Sequence, residues 1–223
     1  MVSYRLMNAL RERGTDAKML VTDKTSNDEN VISYANHISD RYAFYAERLQ
    51  IFMHNGLSRE NLFKADTADY GRDLSSHPIV KEADVIMLNW INQGAVSLDC
   101  VQKLCATGKP VIWTMHDMWE CTGICHHAYE CDRYKYSCGK CMYLGSKSDT
   151  DLSYRSWKKK KDVFSAPNLH FVAVSNWLAG KCKESSLLCD KNVCVIPNTI
   201  AIDDFSHVRR TSREFEIPPN NIK

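Results

Sequence analysis

The sequence lacks any apolar run long enough to cross a bilayer: an uninterrupted stretch such as Val85–Leu88 is four residues, against the roughly 20 that a spanning helix needs. Its opening, MVSYRLMNALRERG, sets Arg5, Arg11 and Arg13 among the apolar residues and offers neither a signal-peptide core nor a cleavage site. A cytoplasmic setting is therefore expected. It also lacks a charge excess. Lys plus Arg is 29 and Asp plus Glu is 27, a formal net of +2, whereas a chain built around nucleic acid carries a basic surplus or a basic face. Repeats and low-complexity tracts are absent, and Lys158–Lys161 is the one charge run. With 44% hydrophobic and 25% charged residues over 223 positions, the composition is globular and argues against disorder.

What the chain has in plenty is cysteine. Five of its ten cysteines fall within 21 residues: Cys121, Cys125, Cys131, Cys138 and Cys141. In a reducing compartment such a cluster binds metal more often than it forms disulfides. The spacing Cys125-x5-Cys131-x6-Cys138-x2-Cys141 brings four thiols into one short polar segment, and Gly139 lets the backbone turn inside the Cys138–Cys141 knuckle. Four thiolates match a closed, tetrahedral, structural zinc site with no open position for chemistry. Two disulfides, an iron–sulfur cluster, or a site in which Cys121, His126 or His127 replaces one ligand are the competing readings. The expected ligands are Cys125, Cys131, Cys138 and Cys141, with Cys121 left out.

Elsewhere the pattern alternates. Tyr4, Met7 and Leu10 recur at helical spacing before Gly14, so Val2–Arg13 reads as a helix. Ala17–Val21 reads as a short strand. Asp40–His54 reads as a helix with Tyr42, Tyr45, Leu49 and Phe52 or Met53 on one face. A short helix after His77-Pro78 precedes Val85–Leu88, a strand expected to be buried on both faces. Val96–Ala106 is helical, and Val111–Met115 a strand opened by Pro110. The alternation breaks at His116 and resumes near Asp151. It continues with helix Leu152–Phe164, strand Leu169–Val174, a helix capped by Ser175 and running to about Leu187, and strand Val193–Ile196. This order predicts an α/β fold: a mostly parallel, Rossmann-like open sheet with helices on both faces. All five strands are expected in that one sheet. Ligands bind beyond the carboxyl ends of such strands, which puts Asn89, Trp90, His116, Asp117, Ser175 and Asn198 on one rim.

Several segments then coincide in order and spacing: VIMLNWIN (Val85–Asn92), GKPVIWTMHDMW (Gly108–Trp119), CHHAYECDRYKYSCGKCMYLGSK (Cys125–Lys147), VAVSNWLA (Val172–Ala179) and VIPNT (Val195–Thr199). Together they resemble the first domain of GT-B fold glycosyltransferases, nearest to a bacterial family-4-like group used in surface polysaccharide synthesis. The resemblance implies a retaining transferase that moves a sugar from a nucleotide-sugar donor to a glycan or lipid-linked acceptor, without a catalytic metal. It implies a Rossmann-like domain over 1–210 with a cysteine-rich insertion at 121–147, and a connector at 211–223 leading to a second domain. On that comparison the first strand with its glycine-rich turn and the whole second domain are missing, and Thr199 stands where a Gly usually follows Pro-Asn. The chain as given is accordingly expected to be inactive.

In this frame His116 is the expected catalytic residue, beside the donor sugar, oriented by Asp117. Asn89, Trp90 and Asn92 suit sugar recognition, an indole face for the ring and amides for the hydroxyls. Ser175 and Asn198 are expected near the cleft, although a helix cap and a turn account for them locally. Lys158–Lys161 could attract anionic headgroups and suggests peripheral contact with the inner face of the membrane. Four consecutive residues spread around a helix, however, and cannot all face one surface. A zinc-bearing module that contacts nucleic acid or an anionic surface through those lysines is the alternative class, disfavoured by the near-neutral charge.

Overall fold

In the computed structural model, which describes residues 2–200, the chain runs α1 (Val2–Glu12), β1 (Met19–Val21), β2 (Val31–Ser33), α2 (His37–His54), α3 (Pro78–Glu82), β3 (Ile86–Leu88), α4 (Leu98–Ala106), β4 (Val111–Met115), α5 (Leu152–Phe164), β5 (Leu169–Ala173), α6 (Asn176–Glu184) and β6 (Val193–Val195). Three single-turn 3-10 segments, Trp119–Cys121, Arg133–Lys135 and Met142–Leu144, lie between β4 and α5. The connector expected at 211–223 lies outside the described residues.

The fold is α/β with parallel strands. β3, β4, β5 and β6 form one sheet in that order, with Leu88 opposite Trp113, Trp113 opposite Phe171, and Ala173 opposite Val195. Parallel neighbours need crossover connections, supplied here by α4, by the long segment ending in α5, and by α6. β4 alternates buried Val111, Trp113 and Met115 with half-buried Ile112 and Thr114, the period-two pattern of a strand packed mainly through one face. On that face the Trp113 ring stacks on Phe171 at 6.2 Å and meets Phe164 of α5 edge-on at 5.7 Å. These large apolar side chains, each worth about 1.5–3 kcal/mol when fully buried, tie α5 to the centre of the sheet. Helix starts are capped as their sequences indicate: Ser97 accepts from Cys100 N, Asp151 from Ser153 N and Tyr154 N, and Ser175 from Leu178 N.

Two expectations are corrected. β1 is not part of the main sheet; it pairs in parallel with β2, a strand the sequence reading passed over, in a separate two-stranded sheet. Three-residue strands carry too little alternation to announce themselves. Next, β3 is not buried on both faces, since Met87 is exposed between buried Ile86 and Leu88. α2 carries its stripe on one face, as expected, but that face is turned outward. An apolar stripe on a helix ordinarily faces the core, yet Tyr42, Tyr45, Leu49 and Met53 are exposed, and the buried residues are Ala43, Glu47, Arg48 and Ile51.

Hydrogen bonding accounts for this inversion. Glu47 Oε1 accepts from the backbone N–H groups of Thr67 at 2.8 Å and Ala68 at 2.7 Å, and Arg48 pairs with Asp66. These bonds, with that from Arg48 Nη1 to Leu62 O, satisfy buried polar groups and hold the polar face of α2 inward. Replacing Glu47 with Ala should therefore cost about 3 kcal/mol, because it strands buried donors and an unbalanced arginine. Leu49→Ala, two residues away but exposed, should stay within about 0.5 kcal/mol. Urea denaturation of the two variants checks this, and the opposite ranking would mean that the apolar stripe is the packed face.

Candidate functional site

The carboxyl ends of β3 and β4 lie side by side, so the residues that leave them meet. His116, directly after β4, places Nε2 at 3.4 Å from Asn89 Oδ1, directly after β3. The amide oxygen accepts, so Nε2 carries the proton and Nδ1 keeps a lone pair. Burial lowers the His116 pKa, and Asp117 only partly opposes this, so the imidazole is neutral near pH 7. Trp90 follows Asn89 and leaves half of its surface exposed, its ring 6.2 Å from that of His126.

Asp117 has two tasks. Its Oδ1 accepts from Trp119 N at 2.7 Å, closing the turn after β4, and its Oδ2 accepts from His126 Nδ1 at 2.9 Å. Asp117 was expected to orient His116; its bonds go instead to Trp119 N and His126. His126 donates on its other side to Asp66 Oδ2 at 2.5 Å, and Asp66 also pairs with Arg48, which reaches Glu47 at 3.1 Å. A chain of alternating charge thus runs from α2 to the rim. Burial opposes a charged His126, but the two carboxylates outweigh it and raise its pKa to about 9, so the ring is an imidazolium at neutral pH. Burial and the neighbouring Asp66 push Glu47 up to about 7, against the pull of Arg48.

A second buried pair lies under the same turn. Lys160 is wholly buried; its Nζ donates to Trp119 O at 2.6 Å and Thr122 O at 3.0 Å and sits 3.2 Å from the Trp119 ring centre. Desolvation lowers its pKa to about 7, while burial and Asp117 raise that of Glu120 to about 8. The lysine run does not form one cationic face. Lys158 and Lys161 are exposed, Lys159 is paired with Asp69 and Asp99, and Lys160 anchors the turn that carries the rim.

The remaining rim residues separate. Asn92 is buried, and neither atom of its amide has a hydrogen-bond partner. Ser175 Oγ is used as the cap of α6, accepting from Leu178 N at 3.2 Å. Asn198 is exposed beyond β6. Close by, an aromatic cluster went unread in the sequence: the His127 ring stacks on half-exposed Trp177 at 5.6 Å and lies 4.3 Å from exposed Tyr129. The His126 network was missed too. Its one sequence signal is the adjacent pair Glu47-Arg48 inside an otherwise apolar helical stretch.

Cys125, Cys131, Cys138 and Cys141 line a single cavity of about 20 Å³. All four thiols are free, and Gly139, at φ 128°, turns the knuckle so tightly that a Cβ there would lie 2.3 Å from Asp149 O. Gly123 N donates to Cys138 Sγ at 3.1 Å, and burial raises the Cys141 pKa although the backbone N–H groups of Tyr143 and Leu144 pull it the other way. Burial nonetheless pushes Cys125 and Cys138 up to about 12. Among the described residues no group of three or more His, Cys, Asp or Glu is arranged to hold a metal ion. Four thiols of a kind that can ligate metal thus line one cavity, but their sulfurs are not drawn together into a coordination shell. Cys121 stands apart, its Sγ 3.4 Å from Cys182 Sγ in the core.

Because His126 joins Asp66 to Asp117, the two carboxylates should be energetically coupled. Asp66→Asn should cost about 3–5 kcal/mol, as expected when one partner of a buried charge set is removed. The Asp66→Asn/Asp117→Asn double variant should depart from additivity by about 1 kcal/mol or more. Denaturation midpoints of the four proteins measure this; strict additivity would mean that His126 does not connect them. In comparisons with protein-family models, curated proteins and solved structures, none matches this chain.

Proposed function

We propose that the chain is the acceptor-side half of a retaining glycosyltransferase, one that moves a sugar from a nucleotide-sugar donor to a glycan or lipid-linked acceptor in surface polysaccharide synthesis. The setting proposed is the cytoplasm, at the inner face of the membrane. Among the described residues no helix is long and apolar enough to cross a bilayer. The observation that carries the reading is the 3.4 Å link between His116 and Asn89 across two parallel strand ends, with the half-exposed Trp90 indole beside it. An open parallel sheet binds ligands at that edge, and an aromatic face flanked by amide and imidazole is the chemistry that recognises a pyranose and its hydroxyls.

On this reading neutral His116 holds the reacting sugar through a hydrogen bond that strengthens as charge develops in the transition state. Asn89 orients the imidazole by accepting from Nε2. Asp117, committed to Trp119 N and His126, acts as a support for the turn and not as a base. Trp90 stacks on the acceptor. Zinc, held by Cys125, Cys131, Cys138 and Cys141, would close the cysteine segment and take no part in transfer. Thiols pushed up to about 12 by burial are held as thiolates once a dication supplies the missing positive charge.

Two measurements test this. Joined to a nucleotide-sugar-binding domain, the chain carrying His116→Ala should transfer about 10²-fold more slowly with nucleotide affinity unchanged, whereas Trp90→Ala should weaken acceptor binding. Full activity of His116→Ala would remove that residue from the mechanism. Separately, elemental analysis of the purified reduced chain should find about one zinc per molecule. Cys138→Ser should release it and Cys121→Ser should not, since the Cys121 sulfur faces Cys182. Metal-free protein with intact fold would end the zinc reading.

A further inference from the structure

Three rings come together at the surface where the segment after β4 meets the start of α6. The His127 ring stacks on the Trp177 indole at 5.6 Å and lies 4.3 Å from the Tyr129 ring. Trp177 is 51% exposed and Tyr129 69%, so these rings forgo most of the burial that makes an aromatic side chain stabilising. The backbone beneath them is strained as well. Tyr129 has φ 47°, a left-handed conformation that a bulky side chain enters only at a cost. It is held there by its own N–H, which donates to His127 Nδ1 at 2.9 Å, while the carbonyl of His127 accepts from the Tyr143 hydroxyl at 3.1 Å. Strain that the surroundings maintain in this way gathers at ligand sites.

The chemistry of the cluster says what meets it. The bond into Nδ1 puts the ring hydrogen of His127 on Nε2. That group, the Trp177 Nε1–H and the Tyr129 hydroxyl have no protein partner among the described residues. Flat apolar faces edged by free donors suit a pyranose, whose C–H face stacks while its hydroxyls accept. A nucleobase would stack too, but its phosphates would meet exposed Glu130 and Asp132. The cations of the same segment are already engaged, Arg133 with Asp149 at 3.0 Å and Lys135 with Asp132 at 2.8 Å and Glu184 at 3.4 Å. The charge therefore favours an uncharged sugar.

The cluster also stands at a fixed distance from the rim. Trp90 follows β3 and Trp177 follows β5, with β4 between them in the sheet, so their strand ends are about 10 Å apart. A pyranose ring, built of bonds of about 1.5 Å, spans less than half of that. One ring cannot touch both indoles; two or more joined rings can. Consecutive histidines link the two places: the Trp90 ring is 6.2 Å from that of His126, and the next residue carries the stack on Trp177. His126 is itself pinned between Asp117 and Asp66, so the spacing is set before a ligand arrives, which lowers the cost of binding. We propose that His127, Tyr129 and Trp177 form a second sugar-stacking subsite, which takes one residue of an uncharged oligosaccharide whose reacting end lies at Trp90. The acceptor is then a glycan of at least two joined sugars and not a single sugar. This rests on the reading of the His116–Trp90 rim as the acceptor site.

Ligand-observed NMR titration of the 223-residue chain with glucose, maltotetraose, cellotetraose, N-acetylchitotetraose and uridine diphosphate tests the proposal. At least one tetrasaccharide should bind about tenfold more tightly than glucose, the gain expected of one added aromatic stack. Trp177→Ala should remove that gain, and Trp90→Ala should weaken the same tetrasaccharide. Tyr129→Gly relieves the positive φ, so it should lower tetrasaccharide affinity while the melting temperature holds or rises, a combination that a merely structural ring would not give. Absence of tetrasaccharide binding, or binding indifferent to Trp177→Ala and Tyr129→Gly, would overturn the subsite. If Trp90→Ala alone weakened the glycan, the subsite would fall and the rim would stand as the acceptor site. If Trp177→Ala alone did so, the cluster would stand as a sugar site and the reading of the rim would fall. Binding of uridine diphosphate that Trp177→Ala abolishes, with no tetrasaccharide bound, would overturn the proposal by making the cluster a nucleobase platform.

Discussion

The carboxylate of Asp66 is the constraint on which the rest of the arrangement turns. It is fully buried and paired with Arg48 on one side and His126 on the other, while its backbone accepts from Trp119 Nε1 at 2.7 Å and donates to Ile124 O at 2.8 Å. A buried carboxylate is tolerable only with its counter-charges and hydrogen bonds in place. Satisfying it therefore draws together α2, the segment 65–68, the turn after β4 and the start of the cysteine-rich segment. Stretches near 48, 66 and 119–126 are thus registered by one residue, through its side chain and its backbone.

Two features of the surface follow from this registration. At the rim, Asp117 is committed to Trp119 and His126, while His116 meets Asn89 and Trp90 keeps half of its surface exposed. On the outside, α2 must keep Glu47 and Arg48 inward, so its apolar stripe has nowhere to go but out. Helical amphipathicity and buried charge compete for the same face. The inward charges hold because Glu47 is the acceptor for the buried N–H groups of Thr67 and Ala68 and Arg48 is a counter-charge of buried Asp66, and these groups would lose their partners if α2 turned.

The turn after β4 obeys a similar logic. Lys160 would ordinarily be solvated, with its stem over apolar neighbours. Here its ammonium takes the carbonyls of Trp119 and Thr122 and the face of the Trp119 ring. A lysine from α5 thereby acts as a fixed cap on the 3-10 turn Trp119–Cys121, and the rim residues next to it are held on a rigid base. Beside it the cysteine segment forms its own layer, with Gly139 setting the knuckle and Cys121 drawn away into the core against Cys182.

The sequence alone determined the α/β class, the four strands of the main sheet, most helix starts, and the rim itself. These follow from period-two and helical spacing, from the cap Ser175, and from Pro and Gly breaks, all of which act within a few residues and so are written locally. It also singled out His116 and Asn89 separately, as strand-end residues. Only the tertiary structure decided that they touch, that β1 leaves the main sheet for β2, that Asn92 turns inward, and that the four lysines disperse. The orientation of α2 and the chain Glu47–Arg48–Asp66–His126–Asp117 belong to the same class. Their key links, Arg48–Asp66 and Asp66–His126, join residues 18 and 60 positions apart, and a buried charge pairs with whatever the fold brings within reach, which no local pattern encodes.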